Sequence, residues 1–333
     1  MSEATATGTR PRVGFLGVGW IGRHRMRAVA KSGVAEIAAI ADPATECLEA
    51  AAQDAAGAEV AGSLEELIEA GVEAVAIATP SALHADQAIA ALEAGRAVFC
   101  QKPLARTAQE TRRVVDAARA ADRLLGVDFS YRHTTAALAV REQVNTGRIG
   151  PVHAVDLVFH NAYGPDKAWF LDPALSGGGC AIDLGIHLVD LLLWTLGFPA
   201  LENVDARLWK RGRPTAADDA EDFCLAEIDL ANGTRARLAC SWFSHEGRDA
   251  VIEATFRGRD GAASLTNVGG SFYDFRAERR EGTSASVLVE PPDDWGGRAA
   301  VDWARRLAGG AGFDPSIEQA VDVAEAIDRV YGR

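Results

Sequence analysis

The chain has 333 residues, 48% of them hydrophobic and 24% charged, a balance that supports two hydrophobic cores and departs from the signature of disorder. Its formal net charge of −13 repels polyanions on average, which argues against a nucleic-acid or anionic-membrane binder. The five cysteines, Cys47, Cys100, Cys180, Cys224 and Cys240, are scattered and never spaced as C-x-x-C, so they suggest neither a disulfide framework nor a zinc site and fit a reducing cytoplasm.

Residues 1–10 are polar, lack the apolar core of a signal peptide and read as a disordered tail. Over residues 11–132, short apolar runs alternate with alanine-rich helical stretches, which predicts a doubly wound parallel sheet with helices on its faces. The runs are "RVGFLGV", "AEIAAIAD", a weak "AEVAG", "EAVAIATP", "AVFCQKP" and "LLGVDFS". Two of the helices open on capping boxes, Ser63 with Glu66 and Thr107 with Glu110.

The pattern changes over residues 133–333. A connecting helix ends at Gly147, "VHAVDLVFH" reads as a strand, and a glycine-rich loop leads into a long helix around "DLGIHLVDLLLWTL". Strands then dominate, with "DFCLAEIDLANGTRARLACSWF" folding as a hairpin through Asn232 and Gly233. This half reads as α+β with a large, mostly antiparallel sheet. A final helix over 315–331 starts at Pro315 and Ser316. The most apolar stretch, "LGIHLVDLLLWTLGFPAL", is interrupted by His187 and Asp190 and does not read as a membrane span.

Gly17, Gly19 and Gly22 form a G-x-G-x-x-G loop between a predicted strand and a predicted helix, with Trp20 and Ile21 inside it. That spacing alone arises by chance in glycine-rich chains, but in this setting it suits a dinucleotide pyrophosphate at a helix N-terminus. Asp42 ends the second strand, where a carboxylate accepts from an adenosine ribose and repels a 2′-phosphate, so NAD is favoured over NADP. Thr79, Pro80 and His84 follow the fourth strand, at the end of the sheet where a ligand belongs. The alternative is that Ser81 only caps the next helix and His84 faces solvent.

Hydride transfer at a carbon bearing oxygen also moves a proton on that oxygen, so a side chain must carry it. Lys102, at the end of the fifth strand and fixed in direction by Pro103, can reach over the crevice, although a lysine there is also compatible with a solvated charge. Asp183 and His187 stand four residues apart on one predicted helix, where the carboxylate would orient the imidazole and raise its basicity. A satisfied core pair, with Asp190 as another partner, is the plain alternative; a metal site ranks lowest, with one histidine and no further ligand cluster. For the substrate pocket, Arg132 past the sixth strand and Trp169 in the loop before the helix are the candidates, with His160 and His245 behind them.

Taken together, "GFLGVGWIGRHR", "AIADP", "ATPSALHADQAIAALEAG", "FCQKPLA", "YRH" and "GGGCAIDLGIHLVDLLLW" resemble the Gfo/Idh/MocA family, in the family's order and over nearly the whole length. The resemblance implies an N-terminal Rossmann domain and a C-terminal domain whose open sheet forms an oligomer interface, with the last helix packing back on the first domain. It implies that Lys102 is the catalytic lysine of a Glu-Lys-Pro motif, that Asp183 and His187 are its acid and base, and that Thr79, Pro80 and His84 line the nicotinamide half of the cofactor site. The chain departs from the motif at Gln101, which keeps an acceptor oxygen for a ribose hydroxyl but removes an anion beside Lys102, a change expected to favour its neutral form.

These readings point to an NAD-dependent oxidoreductase acting on a sugar, sugar derivative or cyclitol, as a cytoplasmic homodimer or homotetramer. The alternatives are a ketosugar reductase, a redox-neutral glycoside-cleaving or epimerising enzyme that retains NAD, and a non-enzymatic NAD sensor.

Overall fold

The computed structural model describes residues 10–216 and 219–333, so the expected N-terminal tail lies, but for Arg10, outside the described residues. The first sheet comprises β1 (Arg12–Leu16), β2 (Glu36–Ala41), β3 (Glu59–Val60), β4 (Ala74–Ile77), β5 (Ala97–Cys100) and β6 (Leu125–Val127). Its order is β3-β2-β1-β4-β5-β6, with every neighbouring pair parallel. The connecting helices are α1 (Trp20–Ser32), α2 (Thr45–Asp54), α3 (Leu64–Glu69), α4 (Ser81–Glu93) and α5 (Ala108–Ala121). Every residue of β4 and β5 is buried, as expected for central strands covered on both faces.

The order reverses between β1 and β4, so the loops after these two strands diverge and leave a crevice at their carboxyl ends. Ser63 and Thr107 each accept from the backbone N–H three residues on, as the capping boxes require. The paired glutamates reach one residue farther back than expected: Glu66 accepts from Gly62 N–H and Glu110 from Arg106 N–H.

The remaining chain supplies α6 (Thr135–Asn145), β7 (Val152–Asn161), α7 (Pro173–Ser176), α8 (Ile186–Leu196), β8 (Leu201–Lys210), β9 (Arg213–Pro214) and the hairpin β10 (Phe223–Leu230) with β11 (Arg235–Ser241). It continues through β12 (Ala250–Gly258), β13 (Ala262–Asn267), β14 (Phe275–Glu281), β15 (Ser284–Val289), α9 (Arg298–Ala308) and α10 (Gln319–Tyr331). These strands form one nine-stranded sheet, β15-β14-β13-β12-β7-β11-β10-β8-β9, antiparallel except where β11 meets β7. The hairpin turns through Asn232 and Gly233, where Gly233 takes the positive φ that the turn demands.

The apolar segment Pro173–Leu196 is long and apolar enough to span a membrane by composition, but 78% of its most apolar window is buried inside the fold. It is a core element. Both final helices return to the first sheet's layer: α9 lies on α1 and sets Trp303 against Phe99 at 5.5 Å, while α10 packs on α5 and α8.

Arg132 ties these parts together. Its Nε donates to both carboxylate oxygens of the buried Asp190 at 3.0 Å, its Nη1 donates to Gln319 at 2.9 Å, and the guanidinium lies over the rings of Phe129 and Phe198. One bidentate pair therefore joins the end of the first sheet to α8 and α10. Replacing Asp190 by Ala leaves that guanidinium unpaired in the interior, a loss of about 3–5 kcal/mol in urea unfolding. A loss below about 1 kcal/mol would show that the pair does not hold the two units together.

Candidate active site

A cleft of about 810 Å³ runs along the carboxyl ends of the first sheet and under the second. Its outer part is lined by Gly19, Trp20, Ile21, Asp42, Thr79 and Pro80, its floor by Gln101 and Lys102, and its far wall by Asp183, His187 and Trp169. The structure thus brings together most of the residues expected from the sequence.

The glycine loop has the shape a dinucleotide requires. A Cβ on Gly17 would stand 2.6 Å from the carbonyl of Ala78, and one on Gly22 would stand 2.0 Å from the carbonyl of Gly17, so these two positions close the turn. At Gly19 nothing lies within 4 Å of such a Cβ, which leaves open space at the start of α1 for a phosphate to approach the backbone. Asp42 accepts from the backbone N–H groups of Val18 and Ala44 at 2.8 and 2.9 Å, which fixes its carboxylate beside the cleft with lone pairs to spare.

His84 is buried, with its ring nitrogens 2.7 Å from the carbonyl oxygens of Pro103 and Thr79. The alternative of a solvent-facing His84 below a Ser81 cap is overturned: Ser81 is buried and makes no capping bond. His84 instead links the loop after β4 to the loop that carries Lys102.

Lys102 is no solvated charge. Its Nζ donates to the carbonyl of Asp183 at 2.7 Å and to its Oδ1 at 2.9 Å, while Oδ2 accepts from Trp242 Nε1 at 3.2 Å. This corrects the expected pairing of Asp183 with His187. Residues Ala181–Gly185 form a π-turn before α8, so the simple i, i+4 register fails, and both carboxylate oxygens are engaged elsewhere.

His187 instead stacks on Tyr131 with ring centroids 4.6 Å apart, and its buried Nδ1 has no hydrogen-bond partner among the described residues. Its pKa is not raised, as expected from a carboxylate partner, but held well below the usual histidine value by burial and then by the cations of Lys102 and Arg25. The imidazole is neutral and able to accept a proton. Burial likewise pushes the Tyr131 hydroxyl up, with smaller contributions from Tyr273 and Asp183.

The π-turn is held from behind. Glu221 accepts from the backbone N–H groups of Gly179 and Ala181, both at 2.8 Å, and from the Tyr331 hydroxyl at 2.9 Å. Tyr331 itself accepts from Gly179 and Ile182 N–H. Nothing in local spacing links these residues to the site.

Three pocket expectations fail. Arg132 is consumed by Asp190 and does not line this cleft; its neighbour Tyr131 does. His160 bonds Ser241 and stacks on Phe223, and His245 is exposed; neither lines the cleft. Trp169 does, stacked on Phe170 at 3.8 Å, and Phe272, Tyr273 and Trp295, which sequence reasoning missed, complete an aromatic wall. Among the described residues no cluster of three His, Cys, Asp or Glu is arranged to hold a metal.

Gln101 also differs from expectation, because its surroundings are not stripped of acid. Its amide nitrogen donates to the buried carboxylate of Asp128, which also takes Arg25 Nε at 2.6 Å.

Burial is the leading cause that lowers the pKa of His24, His84, His133, His160 and His187. Each then binds a proton more readily unfolded, near 6.5, than folded, so the stability they confer is present above that value and lost as pH falls through the lower folded values. The melting temperature is expected to drop as pH falls from about 6.5 to about 5. A flat thermal-melt series over that window would contradict the burial assigned to these rings.

Two family profiles match the chain. Residues 11–129 match the "Oxidoreductase family, NAD-binding Rossmann fold" profile and residues 137–264 match the GFO/IDH/MocA C-terminal domain. Inositol 2-dehydrogenase of Agrobacterium fabrum (strain C58 / ATCC 33970) is 34% identical over 76% of this chain and 73% of its own. D-glucoside 3-dehydrogenase of Escherichia coli (strain K12) is 30% identical over 58% of each chain, so the match spans little more than half of that relative's length. Among solved structures, GenD2 from gentamicin A biosynthesis, in complex with NAD, superposes with a TM-score of 0.82 at 25% identity, over 99% of this chain and 96% of that one. Two matched domains in order and a relative aligned over most of both chains show that this protein belongs to the Gfo/Idh/MocA family of oxidoreductases.

Proposed function

We propose that the protein is an NAD-dependent oxidoreductase that moves hydride between the nicotinamide and a hydroxyl or keto carbon of an uncharged sugar, sugar derivative or cyclitol. The observation that carries this reading is the meeting of Lys102, Asp183 and His187 at the inner end of a cleft whose outer end is a glycine loop. Gly17, Gly19 and Gly22 shape the phosphate cradle, Trp20 and Ile21 flank it, Asp42 takes the adenosine ribose and excludes a 2′-phosphate, and Thr79, Pro80 and Gln101 face the nicotinamide half. His84 holds the two loops at that end in place. When bound, NAD supplies the hydride acceptor.

The protein's own residues manage the proton. Lys102 spends two N–H bonds on Asp183, which aims its remaining N–H at the cleft, where positive charge stabilises the oxyanion that develops on the substrate. In oxidation the neutral ring of His187 takes the hydroxyl proton as hydride leaves the carbon, and in reduction it returns that proton. Asp183 acts by aiming Lys102.

The wall opposite supports the substrate class. Trp169, Phe272, Tyr273 and Trp295 offer flat apolar faces to the C–H faces of a ring, while the nearby cation Arg25 is neutralised by Asp128. The pocket therefore suits a neutral polyol better than a phosphate ester. A second copy of the chain laid on the open nine-stranded sheet would cover its exposed face, giving a homodimer or a homotetramer in the cytoplasm.

Two measurements test this reading. With NAD and a panel of free sugars, inositols, glycosides and sugar phosphates, NADH is expected to form with an uncharged member, and Lys102→Ala to lower kcat about 10²–10³-fold with little change in NADH affinity. Near-normal turnover in Lys102→Ala removes the lysine from the chemistry, and a flat trace with every compound shifts the reading to a reductase or a redox-neutral enzyme. In the pH profile of kcat/KM for oxidation, the acidic limb is expected below 6.5, because His187 is held neutral there, and to change in His187→Asn. A limb centred at or above 6.5 that vanishes in this variant would overturn the assignment of a depressed His187.

A further inference from the structure

Strands β5 and β6 run side by side with Cys100 opposite Val127, so the residues that follow them, Gln101 and Asp128, emerge together at the end of the sheet. Both side chains are buried, Gln101 at 8% and Asp128 at 1% exposure, and only Gln101 reaches the cleft. Arg25, from the helix that follows the glycine loop, donates through Nε to Asp128 Oδ2 at 2.6 Å, and Gln101 Nε2 donates to the same oxygen. Asp128 Oδ1 has no partner among the described residues.

An ion-paired carboxylate offers only acceptors. The amide of Gln101 must therefore turn its nitrogen toward Asp128, which leaves Oε1 as the acceptor on the cleft side. An unrestrained glutamine presents either end with similar ease. A glutamate in its place would set two carboxylates on one buried oxygen position, where Arg25 is the one cation bonded to Asp128 among the described residues.

We propose that Asp128, anchored by Arg25, is a positioning residue that orients the Gln101 amide so that Oε1 accepts a hydroxyl of the nicotinamide ribose, and that it makes glutamine rather than glutamate the residue this site requires. The acid that the family motif carries beside the lysine is in effect moved one strand over and turned into an orienting group. The inference rests on the NAD reading above.

The test is a double-mutant cycle on the full chain, read by NADH binding through fluorescence and by the melting temperature of the protein without cofactor. Gln101→Glu is expected to weaken NADH binding about tenfold or more and to lower the melting temperature, since it buries like charges together. Asp128→Asn is expected to weaken NADH binding by up to about tenfold, because an amide in place of this carboxylate no longer dictates which end of the Gln101 side chain faces the cleft. The combined Gln101→Glu, Asp128→Asn protein again holds one carboxylate, one amide and one guanidinium, and its NADH affinity is expected to return to within about threefold of the parent.

Recovery of NADH affinity is the deciding result, because a purely structural role would restore only the melting temperature. If Gln101→Glu alone binds NADH like the parent, or if the two changes add without recovery, the inference is overturned while the NAD reading stands. A parent protein that binds no NADH overturns both.

Discussion

Everything at the cleft depends on one contact between two halves of the chain, the ammonium of Lys102 on the carbonyl and carboxylate of Asp183. Lysine is flexible and strongly hydrated, so holding it to one geometry needs rigid partners on both sides. On its own side, the loop after β5 is tethered by His84 through the carbonyl of Pro103. On the other, Asp183 is tied by Trp242 and its turn by Glu221 and Tyr331. With side chains 16% and 15% exposed, the pair is shielded enough for its charge to act on a substrate and open enough for a substrate to reach it.

The same desolvation sets the chemistry of the histidine. His187 lies beside cations and under the Tyr131 ring, with no carboxylate partner among the described residues to favour its charged form. A neutral imidazole beside the Lys102 ammonium divides two tasks, proton acceptance and charge stabilisation, between two groups at one end of the cleft. Had Asp183 faced His187, as helical spacing suggested, the imidazolium would be favoured, and the lysine would lack the partner that aims it.

The parts of the fold governed by short-range patterns were legible in the sequence. Apolar runs alternating with helical stretches located all six strands of the first sheet, and glycines with no room for a side chain, Gly17 and Gly22, marked the turn of the nucleotide loop. The hairpin through Asn232 and Gly233 was equally local. What failed depended on a distant partner or on one extra residue in a helix. Periodicity cannot see the π-turn at Ala181–Gly185, so it pairs Asp183 and His187 on a register they do not keep. Arg132 reads as a pocket cation until Asp190, 58 residues later, is found to hold it. Asp128 carried no signal, because its meaning lies in Gln101 and Arg25, both distant in sequence.

Such distant partners have a common physical cause. A helix or turn that starts in the interior leaves N–H groups unsatisfied, and here the three glycines that lead into the π-turn carry no side chains to accept from them. Glu221 and Tyr331 supply the missing acceptors from the segment just before β10 and the end of α10, across sequence separations as large as 152 residues. Burial raises the pKa of Glu221 and opposes its charge, while the N–H and hydroxyl bonds favour that charge, so the carboxylate is held where the loop needs it by the donors it serves. The geometry of Asp183, and through it of Lys102, is therefore set by the last helical residue of the chain as much as by the glycine motif near its beginning. This explains why the final helix must return across both units: it carries the hydroxyl that completes the rear wall of the site.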